Sequence, residues 1–121
     1  MIVKKLTWLS EVAREAELII SDGKYECVAF SQPCDVREGD DLKEPLHAFM
    51  VNNLMISRES SCSIMPLQPN KLAQQCIAEV VDAENGLVKV GNIEIALEGK
   101  APPRALPGDL VEFSCARLDL W

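Results

Sequence analysis

The sequence predicts a mainly β protein with little helix, built as a small sandwich or barrel. Ile93-Glu94-Ile95-Ala96-Leu97 alternates with period two, the pattern of a half-buried strand. Asp22-Gly23 and Asn85-Gly86 stand between apolar runs, and type I′ hairpins need such residues because both central positions take positive φ. Short segments of this kind recur with turn signals between them, which points to a sandwich or barrel.

Taken in order, residues 9–13 support two readings. Leu9, Val12, Ala13 and Ala16 fall at helical spacing with Ser10 as an N-cap, while Val12, Ala16, Leu18 and Ile20 share one strand face. A strand is expected from about residue 14. Tyr25, Cys27 and Ala29 alternate with Glu26, Val28 and Phe30, and both sets are largely apolar, so this strand is expected to be covered on two sides. Within residues 46–56, Asn52-Asn53 can serve as a hairpin turn between 48–51 and 54–56. Residues 57–70, with four serines and Pro66 and Pro69, read as a connecting loop, followed by a short helix from Asn70 to about Cys76. Val88 and Val90 precede Gly91-Asn92, where a bend or bulge is expected. Pro102-Pro103 and Pro107 shape a second loop before the strand Leu110-Val111-Glu112-Phe113-Ser114-Cys115. Arg117-Leu118-Asp119-Leu120-Trp121 reads as an edge strand closing a barrel or as an anchor for a second subunit; core packing is favoured, since small barrels need large side chains to close.

A weak internal repeat runs through this order. Ala16-Glu17-Leu18-Ile19 is echoed by Ala78-Glu79-Val80-Val81. Each is followed by its turn, a β-rich segment and a Gly-Asp step, Gly39-Asp40 and then Gly108-Asp109. The chain is therefore expected to be a single domain, 1–121, with quasi-repeated units at about 14–56 and 76–118 joined by loop 57–70. This succession of strand, hairpin, strand and Gly-Asp step resembles the OB-fold and related small β-barrels. The resemblance implies an OB-like barrel and, in many members, single-stranded nucleic-acid binding.

The charge opposes that second implication. Nineteen acidic residues outnumber twelve basic ones, giving −7, with about −4 in residues 1–60 and −3 in 61–121. Gripping a phosphate backbone requires Lys and Arg, and no basic half, tail or stripe exists here. No apolar run approaches the ~18 residues of a membrane helix. Met1-Ile2-Val3-Lys4-Lys5 leads into no apolar signal core, so a cytoplasmic protein with no membrane partner is expected. Five cysteines with no C-x-x-C pair fit reduced, buried thiols better than a disulfide framework or a zinc site.

Candidate sites are few. For nucleic acid, the groups available are Lys24, Tyr25, Phe30, Arg37 and Lys43, with Tyr25 and Phe30 on opposite strand faces. For thiol chemistry, Cys34 follows a strand and His47 is the only histidine. A thiol near pKa ~8.5 needs an activator, and Asp35 beside it would oppose thiolate formation. Structural roles for Cys34 and His47 are the preferred reading. Glu38, Asp40 and Asp41 lack calcium-loop spacing and read as solvated turn residues, so no metal is expected. Phosphate-loop, G-x-S-x-G and H-E-x-x-H motifs are absent, and no cofactor is expected.

These observations favour a non-enzymatic acidic module that binds another protein. By analogy, the size and charge match a small inhibitor or immunity-like partner of a basic enzyme. Nucleic-acid binding ranks second, and a cysteine-dependent enzyme or ligand-binding protein third. The oligomeric state stays open at this level.

Overall fold

The computed structural model describes residues 1–67 and 72–121. Its elements are β1 (Ile2–Ser10), β2 (Glu15–Ser21), β3 (Glu26–Ser31), β4 (Leu46–Phe49), β5 (Asn52–Ile56), β6 (Ser63–Pro66), β7 (Gln74–Asp82), β8 (Leu87–Val90), β9 (Ile93–Ala96), β10 (Leu110–Cys115) and β11 (Arg117–Leu120). No helix occurs among the described residues. The strands form one sheet in the order β1-β2-β3-β11-β4-β9-β8-β7-β10-β5, with β6 also paired to β7. The protein is thus mainly β in one compact sheet. The ladder ends at β1 and β5, which do not pair with each other, so the sheet is not closed.

Local chemistry accounts for the first hairpins. Leu9 and Ser10 belong to β1, and the chain reverses over residues 11–14, where Ser10 Oγ accepts the Ala13 N–H at 3.1 Å. The helical reading of 9–13 gives way because β1 finds a full antiparallel partner in β2. The strand expected from residue 14 begins at Glu15. Between β2 and β3, Asp22 Oδ1 accepts the N–H groups of Lys24 and Tyr25 at 2.9 and 2.7 Å, closing the Asp-Gly turn. Its other oxygen accepts the Asn92 N–H at 2.7 Å and so ties this turn to the β8–β9 turn. Gly91-Asn92 is that tight two-residue turn, since Val90 pairs with Ile93; the expected bend in one continuous strand is a complete reversal.

The middle of the fold departs most from the sequence expectations. Asn52-Asn53 is no hairpin turn. β4 and β5 run in succession along one bent ribbon: His47, Ala48 and Phe49 pair antiparallel with Asp119, Leu118 and Arg117, and Asn52, Met55 and Ile56 with Ser114, Glu112 and Val111. Met50 and Asn53 take positive φ, +57° and +56°, to bend the strand rather than reverse it. A facing strand long enough to pair on both sides of the bend overrides the local turn preference. β11 is likewise no edge strand: it lies parallel to β3 on one side and antiparallel to β4 on the other. The 57–70 connector contains β6, with Pro66 at its end, pairing with Gln74 to Ile77 of β7. The expected helix from Asn70 falls partly outside the described residues; from Gln74 onward the chain is strand.

The two Gly-Asp steps make the same turn. In the first, Gly39 N–H donates to the Val3 carbonyl at 2.7 Å, Val3 N–H to the Asp40 carbonyl at 3.0 Å, and Arg37 N–H to Asp40 Oδ2 at 2.9 Å. In the second, Gly108 donates to Val80 at 2.9 Å, Val80 to Asp109 at 2.9 Å, and Leu106 to Asp109 Oδ2 at 3.0 Å. The correspondence sets Val3 of β1 against Val80 of β7, one strand earlier than the match of Ala16-Glu17-Leu18-Ile19 with Ala78-Glu79-Val80-Val81. Inside the sheet, Leu18, Ile20, Leu46, Ile93, Ile95, Phe113 and Leu118 are fully buried in a common core.

Gly86 shows how tightly the turns are built. It holds φ +65°, and a Cβ there would run into the Gly99 carbonyl oxygen, whereas Gly23 at φ +96° faces open space. Gly86→Ala is expected to cost about 3 kcal/mol, from left-handed strain plus the clash. Gly23→Ala should cost about 1 kcal/mol from strain alone. Urea unfolding midpoints of the two variants check the ranking.

Candidate functional site

The central strands present one chemically distinct surface. Ala29, Leu46, Ala48, Leu118 and Leu120 point into the core, so the alternate residues Phe30, His47, Phe49, Arg117 and Asp119 share the outer face of β3, β11 and β4. Trp121 follows β11 and joins them.

Arg117 organises this face. Its Nε donates to Asp119 Oδ1 at 2.6 Å and its Nη2 to Oδ2 at 3.3 Å. The guanidinium lies 4.7 Å from the centroids of both the Phe30 and Phe49 rings. The planar cation is thus held by a carboxylate at its edge and by π faces on its flanks, a combination that lysine cannot reproduce. The Trp121 ring stacks on His47 at 3.5 Å with an interplanar angle of 6°. Trp121 is nevertheless 85% exposed and Phe49 42%. A shallow recess of about 190 Å³ opens among Phe30, Gln32, Arg117, Asp119, Leu120 and Trp121.

The rim is acidic. Glu17 pairs beside Phe30 across β2 and β3, Glu44 exerts its charge on His47, and Glu98 Oε1 accepts the Val51 N–H at 2.7 Å, one strand bend from Phe49. Burial under Trp121 pushes the His47 pKa down, against the upward pull of Asp119 and Glu44.

The residues singled out from sequence do not assemble into one site. Lys24 lies over the Tyr25 ring at 5.3 Å, at the β2–β3 turn. Tyr25 lies just before β3 and packs against the core, while Phe30 faces outward near the far end of β3. Arg37 lines a separate recess with Leu6, Trp8, Val36 and Glu38, and Lys43 is ion-paired with Asp41 at 2.6 Å. Cys34 is buried, its backbone bonded to Arg14 and its thiol directed at the Val36 carbonyl at 3.8 Å. None of the contacts of Cys34 involves His47, which pairs instead with Trp121 and Asp119.

Cys27, Cys76 and Cys115 are chemically quiet. Burial pushes Cys27 up to about 12 and Cys115 to about 11, and raises Cys76 well above an ordinary thiol. Such groups stay protonated and act as small hydrophobes. Among the described residues no cluster of three His, Cys, Asp or Glu groups could hold a metal ion. A larger recess of about 470 Å³ lies near Met1, Lys4, Asp22, Glu26 and Asn92, where Lys4 already pairs with Glu26 at 2.6 Å.

The sequence contained a signal for the aromatic face. In Arg117-Leu118-Asp119-Leu120-Trp121, period-two alternation separates Arg117, Asp119 and Trp121 from the two leucines. Which strands flank them is a long-range matter that alternation does not show.

No protein-family model, curated protein or solved structure matches this chain.

Two outcomes follow from this geometry. Arg117→Ala strips the half-buried Asp119 of its fork and uncovers two rings, and should cost about 2 kcal/mol in urea unfolding, with little recovery in Arg117→Lys. A His47 pKa held below 6.5 in the folded state gives stability that is full above pH 6.5 and is lost as pH falls through the lowered value. Stability curves of the native chain and His47→Gln should therefore run parallel above pH 6.5 and diverge below it.

Proposed function

We propose that this chain is a non-enzymatic module that binds a basic protein through the outer face of β3, β11 and β4. The observation that carries the reading is the state of Arg117. Its charge is taken up by Asp119, so the face offers aromatic surface with Glu17, Glu44 and Glu98 around it. Exposed aromatic side chains are the usual anchors of protein interfaces, and an acidic rim on a chain of charge −7 steers a cationic partner and rejects anionic ones.

The same rings support a second reading. Phe30, Phe49 and Trp121 beside an arginine could stack on the bases of a single strand. The charge places this reading second, because neither Lys24, Arg37 nor Lys43 lies on this face.

The bent ribbon of β4–β5 and β10–β11 supports an OB-like, barrel-like curvature of the open sheet. The matching Gly-Asp turns support two copies of one β unit within a single domain. Five free cysteines favour a reducing compartment such as the cytoplasm. Among the described residues no helix is long and apolar enough to cross a membrane.

Affinity capture on the immobilised chain, with Trp121→Ala and Phe49→Ala as controls, tests the function. A captured partner should be basic, should bind each variant about tenfold or more weakly, and should associate more slowly as salt rises. Anisotropy of a labelled oligothymidylate at low salt should show no binding. Tight, steeply salt-dependent binding that Trp121→Ala abolishes would transfer the face to nucleic acid.

A further inference from the structure

Only one face of the Trp121 indole is covered. That face lies on His47 at 3.5 Å and 6°, yet the residue is 85% exposed, so the opposite ring face is open. Beside it lies the recess of about 190 Å³ shared with Phe30, Gln32, Arg117, Asp119 and Leu120. Pockets that enclose a free small molecule run to about 300–1,000 Å³, so this recess suits a single side chain presented by a larger partner.

The surface itself shows which kind of side chain it holds. Arg117 rests 4.7 Å from the Phe30 and Phe49 ring centroids, with its edge forked on Asp119. A guanidinium is planar and weakly hydrated, so it leaves water for a ring face more readily than an ammonium does. Acceptors for a second guanidinium are at hand. Gln32 Nε2 donates to the Ala13 carbonyl at 3.4 Å, which leaves Oε1 as the accepting end of that amide. Asp119 Oδ2 holds Arg117 Nη2 at 3.3 Å, and a carboxylate offers about four lone-pair sites. Arg117 and Asp119 cancel in charge, so Glu44 and Glu98 on the rim set the sign that an incoming side chain meets.

We propose, on the reading of this face as the site for a basic protein, that the recess takes an arginine of that partner, its guanidinium stacked on the open face of Trp121. The indole then lies between the His47 imidazole and the incoming arginine. A lysine would be drawn by the rim charge alone and would gain little from the ring.

The stack makes His47 a reporter of this event. The charged groups that face it are Asp119 and Arg117 on β11 and Glu44 ahead of β4, while β9 sets the neutral Ala96 opposite it. An imidazolium under the indole would compete with the arginine for the same π electrons and repel it. Arginine binding and His47 protonation therefore oppose each other, and by reciprocity a bound arginine makes His47 harder to protonate. His47 is the only histidine, so one imidazole resonance reads this out.

Two capped heptapeptides of equal charge, titrated by NMR at low salt, test the proposal. One carries Gly-Arg-Gly between two pairs of lysines, and the other carries Gly-Lys-Gly in the same place. The arginine peptide should move the Trp121 indole N–H, bind about threefold or more tightly than the lysine peptide, and lower the His47 pKa further. Trp121→Leu keeps apolar cover over His47 but removes the π face, and should level the two peptides. Equal affinities for the native chain, or a His47 pKa that falls no further with the arginine peptide, would overturn the arginine assignment and leave a basic partner in place. If neither peptide binds, the assignment falls together with the reading of the face.

Discussion

The antiparallel pairing of the two bent strands, β4–β5 against β10–β11, is the constraint on which the rest of the fold depends. It sets Leu118 against Ala48 and Val111 against Ile56 along one continuous ribbon. Through β11 it reaches β3, through β4 it reaches β9, and through β10 it reaches β7. The other strands attach to these, β1 through β2, so the shared core of Leu18, Ile95, Phe113 and Leu118 depends on the ribbon. These pairings join residues far apart in the chain, and such contacts must repay the loop-closure entropy they cost.

The same ribbon creates the candidate site. Its pairing brings Phe49 opposite Arg117 and His47 opposite Asp119, and the parallel contact with β3 adds Phe30. Arg117 is held so closely by Asp119 and two rings that it serves the surface as structure rather than as free charge. The acidic residues around the face, on a chain of net charge −7, give it an aromatic surface with a negative rim. The buried thiols make the complementary point, since desolvation holds Cys27, Cys76 and Cys115 protonated in the interior.

Local patterns were legible from the amino acids alone where a single interaction governs them. The hairpin at Asp22-Gly23 follows from a carboxylate that accepts the N–H groups of Lys24 and Tyr25 within its own turn. The strand at Ile93-Glu94-Ile95-Ala96 follows from alternation, and both Gly-Asp steps form turns because Asp40 and Asp109 each bond back three residues. Asn52-Asn53 resisted the same logic. Its turn preference is weak beside a facing strand that offers partners on both sides of the bend. Arg117-Leu118-Asp119-Leu120-Trp121 resisted it as well. Alternation separates its two faces, but an edge strand and a central strand have the same alternation.

By itself, the sequence determined the β character, the hairpin at Asp22-Gly23 and the two Gly-Asp turns, the two faces of strands such as Ile93–Ala96, and the acidic balance, because each depends on residues within a few positions of one another or on simple summation. Only the tertiary structure decided that Arg117-Leu118-Asp119-Leu120-Trp121 runs through the centre of the sheet, and that Phe30, Phe49 and His47 gather around Arg117 and Trp121. Those outcomes rest on which strand pairs with which. Backbone hydrogen bonds are chemically alike in every strand, so the choice falls to the packing of a core shared by the whole chain.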